Sequence, residues 1–301
     1  MVCERQRQTC RGGIDRMYSE EILKLIENIS PHAMDYVNKA IQNKNVEILY
    51  SILTEENRGI FIIVENDDCC IFYASFLNEY NIEEVLEVIS NKTNEYISKI
   101  KSKEICFNIY GYNFEIINFV RKLGFKADID GYHLEYVGKE LPKLNDCILT
   151  EKNYDISMLE EFVDLFDSSY YQLNIDNGWQ TNINAVREDQ FHQKLNNLNK
   201  VSQVKSFWLD NKLVGAYTFE KNYITDIVVK PIFQNKGYGN YILSHCIKNM
   251  IVNKSIKNIR LRVAKSNIGA KKLYELNNFV EIACFSENTY EQEVIRIGVE
   301  V

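Results

Sequence analysis

The sequence predicts an α/β chain built as two tandem copies of one fold, and three observations carry that expectation. Residues 60 to 77, IFIIVENDDCCIFYASFL, are two β-rich runs about a polar turn, followed by an amphipathic helix from Ile82 to Ile100. A short strand, an asparagine, a helix and a phenylalanine then occur twice, as EICFNIYGYNFEIINFVRKLGF from 104 to 125 and as NIRLRVAKSNIGAKKLYELNNF from 258 to 279. The stretch VVKPIFQNKGYGNYIL, 228 to 243, passes from β-formers through a proline and two glycines straight into helix-compatible sequence.

An offset of 154 places Asn267 on Asn113, Ile259 on Ile105, Val263 on Ile109 and Phe279 on Phe125 without a gap. A period of that length is domain-sized, so it implies two copies of one fold rather than a solenoid. The join falls near VGKELPKLND, 137 to 146, where Gly, Pro and charge interrupt the apolar pattern. The expected division is a first domain over 17–142 and a second over 143–301. Residues 1–16 hold Arg5, Arg7, Arg11 and Arg16, four of the ten arginines, in a chain otherwise rich in Lys, Asn and Ile. They have no apolar h-region, and are expected to be a disordered or non-native leader ahead of a start at Met17.

Composition narrows the function classes. The 301 residues are 46% hydrophobic and 26% charged, which suits a soluble globular protein with a sizeable core. A net charge of −7 argues against nucleic-acid binding, which relies on Lys and Arg neutralising phosphates. No apolar run approaches the roughly 18 residues of a membrane span. Eight cysteines lie scattered at 3, 10, 69, 70, 106, 147, 246 and 284, without a CxxC or a Cys/His cluster at zinc spacing. They read as reduced thiols in a cytoplasm, with Cys246 in the core and no metal expected. His32, His133, His192 and His245 support no histidine-based chemistry.

The second copy carries a candidate anion site. KSFWLDNKLVGAYTFEKNYITDIVVKP reads as strands joined by polar turns, the last ending at Pro231, with a helix beginning around Gly237 to Gly239. At such a junction the first helical N–H groups lack internal acceptors and lie at the positive end of the helix dipole. Glycines at 237 and 239 let the backbone approach a ligand closely. GxxxxGK[ST] is absent, so this is no P-loop, and Ile242 stands where a dinucleotide fingerprint needs a third glycine.

What remains is Q-x-x-G-x-G at Gln234, Gly237 and Gly239, which resembles the acyl-coenzyme A pyrophosphate loop of the GNAT acetyltransferase superfamily. A second segment, N-x-x-A-x-x-L-Y-x-x-x-G-F, is matched at Asn267, Ala270, Leu273, Tyr274 and Phe279. It departs at Asn278, where the family carries glycine; Asn tolerates the left-handed backbone expected there. The resemblance covers residues 145 to 301 strongly and the first half weakly. It implies in each copy a mixed, mostly antiparallel central sheet flanked by helices.

Carried over by position, the resemblance implies that Ile227, Val228 and Val229 hydrogen-bond a pantetheine arm through their backbone. The amides of Asn235, Lys236, Gly237, Tyr238, Gly239 and Asn240 would hold the pyrophosphate, with Lys236 adding charge. Asn267 would position the pantetheine and Tyr274 would protonate the departing thiolate. A tyrosine of ordinary pKa near 10 can donate to a thiolate whose thiol has a pKa near 8.5. The family's familiar bases are missing. Tyr223 and Arg262 occupy two of their positions, and Thr225-Asp226 stands where polyamine-type members carry Glu-Asp. Asp226 is the expected contact for the substrate amine, with Glu220 and a water relay as rivals.

The first copy has no glycine between Gly59 and Gly111 and has Val120 where Tyr274 stands, so it is expected not to bind the cofactor. The helical region 156 to 199 is expected to wall the substrate cleft, with Tyr170, Tyr171 and Trp179 as contacts. The resulting expectation is an N-acetyltransferase using acetyl-coenzyme A and a small-molecule or peptide amine. It would act as a monomer whose halves form a pseudo-dimer. A catalytically silent acyl-coenzyme A binder is the alternative.

Overall fold

The computed structural model describes residues 16–99, 103–144 and 148–290, so most of the suggested leader, together with Cys3, Cys10 and Cys147, lies outside the described residues. In chain order the helices and strands are α1 Arg16–Glu27, α2 Pro31–Gln42, β1 Val46–Leu53, β2 Arg58–Glu65, β3 Cys69–Phe76, α3 Ile82–Lys99, β4 Glu104–Tyr110, α4 Phe114–Lys122 and β5 Phe125–Tyr136. They continue as β6 Thr150–Lys152, α5 Leu159–Asn177, α6 Ile183–Val186, α7 Glu188–Lys200, β7 Val204–Leu209, β8 Lys212–Glu220 and β9 Tyr223–Val229. The last are α8 Tyr238–Lys248, β10 Arg260–Ala264, α9 Ile268–Leu276 and β11 Phe279–Tyr290.

The chain forms two compact units. Unit 1 comprises residues up to Asp130 and from Ala283 onward, and unit 2 comprises Gly131–Ile282. In unit 1 the strands run β1-β2-β3-β4-β11, antiparallel except for the parallel pair β3/β4. Ile22, Ile26 and Val37 of α1 and α2 pack with Ile60, Ile62 and Tyr73 in one core, while Val85, Ile89 and Ile116 of α3 and α4 pack with Phe61, Phe72 and Phe107 in another. The alternation of a half-buried strand thus serves two helical layers at once.

In unit 2 the order is β5-β10-β9-β8-β7-β6, again antiparallel except for the parallel pair β9/β10. Ile242, Leu243 and Cys246 of α8 pack with Phe207, Tyr217 and Leu261 on one side, and Phe162, Phe166 and Phe191 of α5 and α7 pack with Trp208, Ala216 and Val228 on the other. Cys246 is fully buried, as expected of a packing residue, and burial raises its thiol pKa far above the ordinary range.

The compact units are not contiguous halves of the sequence. Strand β5 starts with Phe125 in the core of unit 1 and ends with Leu134 in the core of unit 2, whereas β11 starts with Phe279 in unit 2 and reaches unit 1 from Ala283. Both strands are 12 residues long, enough for each to serve both units. A division at about residue 142 therefore describes the sequence repeat, while the linker it falls in lies within unit 2.

The repeat itself extends further than its sequence identity suggests. The offset of 154 that aligns Asn113 with Asn267 also carries the starts of β2, β3, α4 and β5 onto those of β8, β9, α9 and β11. The two asparagines share a backbone geometry, φ −90° and ψ 54° against φ −87° and ψ 64°. Their side chains differ in use: Asn113 donates to the carbonyls of Phe76 and Tyr110, whereas Asn267 accepts from the Ala270 amide at 3.2 Å.

Candidate active site

Strands β9 and β10 begin side by side and then part. Their pairing links Tyr223 to Arg260 and Ile224 to Leu261 and goes no further. Beyond it β9 keeps its antiparallel partner β8, with Tyr217 opposite Ile227, Ala216 opposite Val228 and Gly215 opposite Val229. The other backbone edge of β9 beyond Ile224 is thereby left without a strand partner, where an extended ligand can pair, although the Val229 carbonyl at its end is taken by side chains. Gly215 keeps this strand pair tight, since a Cβ there would lie 2.4 Å from the Val228 carbonyl oxygen. Val228 points its side chain into the α5/α7 core.

The segment after β9 opens the N-terminus of α8. Asn235 and Gly237 both have positive φ, 60° and 84°, and Gly237 is the residue from which the helix starts. The first intrahelical bond runs from the Tyr241 amide to the Gly237 carbonyl at 3.2 Å, and no side chain caps the helix start. The amides of Tyr238, Gly239 and Asn240 precede that bond and face outward with the helix dipole behind them. A Cβ on Gly237 would meet no atom within 4 Å, so the space before these amides is open. Gln234 does not face it: its side-chain amide folds back onto the Val229 carbonyl at 2.9 Å, which also accepts from Ser169 Oγ at 3.1 Å. Tyr238 packs its ring near Phe233, and the Lys236 ammonium lies 5.6 Å from the centre of the Phe233 ring.

Tyr274, on α9, is only 8% exposed, and its hydroxyl has no hydrogen-bond partner among the described residues. Burial first, and the Asp226 charge second, raise its pKa above the ordinary tyrosine range. Asp226 lies in β9 and is held from three sides. Tyr170 of α5 donates to Oδ1 at 3.0 Å, Thr218 of β8 donates to Oδ2, and Lys194 of α7 approaches Oδ2 at 3.5 Å. Desolvation and then Asp226 raise the Tyr170 hydroxyl well above its usual pKa. The structure therefore brings Tyr274, Asp226 and Tyr170 into one electrostatic group.

Asp226 is at the wall of a cleft of about 330 Å³ bounded by α5, α6, α7 and β9. Phe166 and Phe191 give it apolar surface, and Tyr170, Arg187, Gln190 and Lys194 give it polar groups. Of the aromatic residues expected there only Tyr170 takes part; Tyr171 is 53% exposed and Trp179 is not in the lining. Glu220 stands at the β8/β9 turn opposite Tyr223 and is outside the cleft. Arg187, Gln190 and Lys194 escaped sequence reasoning because a polar residue facing a cleft looks like a solvated helix face until the helices are placed. Among the described residues no group of three or more His, Cys, Asp or Glu gathers where it could hold a metal ion, and no helix is long and apolar enough to cross a membrane.

The aligned positions in unit 1 are built differently. Glu83 and Glu84 occupy the first turn of α3, and the Asn81 side chain accepts from the Glu84 amide at 3.3 Å. Glu83 aligns with Gly237, so carboxylates and a side-chain cap stand where unit 2 has glycine and free amides. Val120, fully buried, replaces Tyr274.

Residues 168–296 match the family model described as an acetyltransferase (GNAT) domain. Acyl transfer is the general chemistry of that domain. No curated protein matches the chain in sequence. Among solved structures, an acetyltransferase of the GNAT family from Colwellia psychrerythraea superposes with a TM-score of 0.55 at 13% identity, covering 92% of this chain and 98% of that one. A GCN5-related N-acetyltransferase from Sphaerobacter thermophilus gives 0.55 at 10% identity, covering 92% and 93%. A tandem GNAT protein from the clavulanic acid biosynthesis pathway gives 0.50 at 10% identity, covering 92% and 95%. At such identities the likeness is one of fold, and it extends over both sequence copies.

Proposed function

We propose that unit 2 transfers an acetyl group from acetyl-coenzyme A to the primary amine of a small molecule or peptide. The observation that carries this reading is the parting of β9 and β10 beside the uncapped, glycine-opened start of α8. Backbone groups of Ile227, Val228 and Val229 would hold the pantetheine arm. The amides from Asn235 to Asn240, with Lys236 nearby, would hold the pyrophosphate. Asn267 shapes the start of α9 through its bond to the Ala270 amide, and its side-chain NH2 remains to meet the pantetheine. The bound donor supplies an activated thioester.

Tyr170 and Thr218 donate to the Asp226 carboxylate, which draws the ammonium of the acceptor toward the cleft. The amine has to lose a proton before its lone pair can form the C–N bond, and water at the Asp226 carboxylate takes that proton. As the C–S bond breaks, the Tyr274 hydroxyl donates to the departing sulfur. Its raised pKa keeps that proton on oxygen through the neutral range, so it is available at every turnover. The acting species in this reading is a cytoplasmic monomer, consistent with the free thiols of Cys69, Cys70, Cys106, Cys246 and Cys284.

The test is thiol release from acetyl-coenzyme A by the full chain across a panel of amino acids, peptides, polyamines and aminoglycosides, with calorimetry of the cofactor alone. Release with one class and tight binding of the cofactor are expected. Binding without release by any amine points instead to a silent acyl-coenzyme A binder, and neither binding nor release removes both readings.

A further inference from the structure

The cleft beside Asp226 carries more positive than negative charge. Its lining includes two cations, Arg187 and Lys194, and one anion, Asp226. Arg187 is the residue between α6 and α7, ending the one and starting the other. Its guanidinium makes no hydrogen bond or ion pair among the described residues. The short α6 segment that presents it is nevertheless pinned. The Asp167 carboxylate of α5 accepts from the backbone amides of Asn184 and Ala185 at 3.1 and 3.0 Å, and from the Asn184 side chain at 2.7 Å. A fixed segment thus holds an uncommitted planar donor fork at the cleft.

Lys194 is bound loosely, 3.5 Å from Asp226 with its side chain 45% exposed. An ammonium entering the cleft displaces it from Asp226. Lys194 and Arg187 then remain as two cations of the lining without a carboxylate partner. A ligand with one ammonium and one carboxylate satisfies all three groups, whereas a polycation brings a second positive charge against Arg187 and Lys194. A volume of about 330 Å³ is at the small end for ligand sites, which suits a single small molecule.

Building on the acyl-transfer reading above, we propose that the acceptor is a small amine that also bears a carboxylate, of the α-amino acid class, with Asp226 taking the ammonium and Arg187 the carboxylate. The planar guanidinium fork matches a carboxylate in two parallel bonds, which a lysine at 187 would not reproduce.

The experiment compares free amino acids with their C-terminal amides, beside spermidine, as acceptors for the full chain and for Arg187→Gln. The free acids are expected to exceed their amides in kcat/KM by at least about tenfold, with spermidine inactive. Arg187→Gln is expected to raise KM for the acids roughly 10- to 100-fold while leaving kcat and the amides nearly unchanged. Preference for amides or spermidine overturns the proposal and leaves acyl transfer standing, as does an equal loss for acids and amides in Arg187→Gln. Lys194→Gln gives a second reading of the same charge should Arg187→Gln fold poorly, and must also weaken acids more than amides. If no amine releases thiol, acyl transfer fails, and calorimetry decides the proposal by itself: saturable binding of the acid without the amide upholds it, and equal or absent binding of both overturns it.

Discussion

The Tyr170 hydroxyl, carried by α5, donates to Oδ1 of Asp226 in β9 at 3.0 Å, across 56 residues of sequence. This bond ties the helix that walls the cleft to the strand that would hold the donor. It also fixes the orientation of the carboxylate, because Oδ2 is taken by Thr218 and Lys194. In the proposed function, positioning of the acceptor would therefore depend on a residue in a different element from the one that touches it.

Tyr170→Phe tests that dependence. The ring stays and one donor to Asp226 is lost, a change worth about 1 kcal/mol or roughly fivefold. KM for the amine is expected to rise by that factor, with KM for acetyl-coenzyme A and the melting temperature little changed. Steady-state kinetics varying each substrate in turn measures the split.

Gly237→Val separates a ligand loop from an ordinary turn. At φ 84° a β-branched residue is strained, by about 1 to 2 kcal/mol, although nothing within 4 Å clashes with the added Cβ. The side chain instead fills the space before the free amides. Calorimetry is expected to show cofactor affinity falling far more than stability does in a thermal melt. An unchanged affinity with a lowered melting temperature assigns the loop to structure alone.

Cofactor stoichiometry should be one per chain. The equivalent helix start in unit 1 presents Glu83 and Glu84 with an Asn81 cap, a set that repels and blocks a pyrophosphate. Titration by calorimetry giving two equivalent sites would contradict this asymmetry.

Stability should fall as the solution is acidified below about pH 6.5. His133 is fully buried, and desolvation first, then Arg262 and Arg260, pull its pKa well below 6.5. His245 is lowered in the same direction by burial, opposed by Glu151. For such groups the unfolded chain binds protons that the folded chain refuses. Their stability contribution is therefore whole above the unfolded pKa and is lost as pH drops below it, by up to about 1.4 kcal/mol per pH unit and group. Urea unfolding at pH 7.5, 6.5 and 5.5 measures the slope, and His133→Gln should flatten it.

Local chemistry was legible in the sequence; the meeting of distant elements was not. The proline, the Q-x-x-G-x-G loop and the asparagine before α9 each act through their own backbone, so their helix starts and left-handed turns followed from residue type. The repeat was legible for the same reason, since element lengths are a local property. Arg187, Lys194 and the bond between Tyr170 and Asp226 depend on where α5, α6 and α7 lie against β9, and nothing in those helices marks which polar residue turns inward. The crossing of β5 and β11 from one unit to the other was equally hidden, because a 12-residue strand reads the same whichever partners its two ends find.

Tyr274→Phe asks whether unit 2 is an enzyme. The hydroxyl has no protein partner among the described residues, so its removal leaves no orphaned group and the ring keeps its edge contact with Phe279 at 5.9 Å. Folding and cofactor binding should persist. If Tyr274 is the general acid, as proposed, the hydroxyl matters when charge develops on the departing sulfur, an interaction of the transition state and not of the bound ground state. Turnover is expected to fall by roughly 10² to 10⁴ with KM nearly unmoved. Because burial and Asp226 raise the Tyr274 pKa above 10, this residue should add no alkaline limb to the wild-type rate profile up to about that pH. The parallel change in unit 1, Val120→Ala, removes buried atoms and lowers stability while leaving the chemistry alone. Equal turnover in wild type and Tyr274→Phe would take the tyrosine out of the mechanism and leave protonation of the thiolate to water.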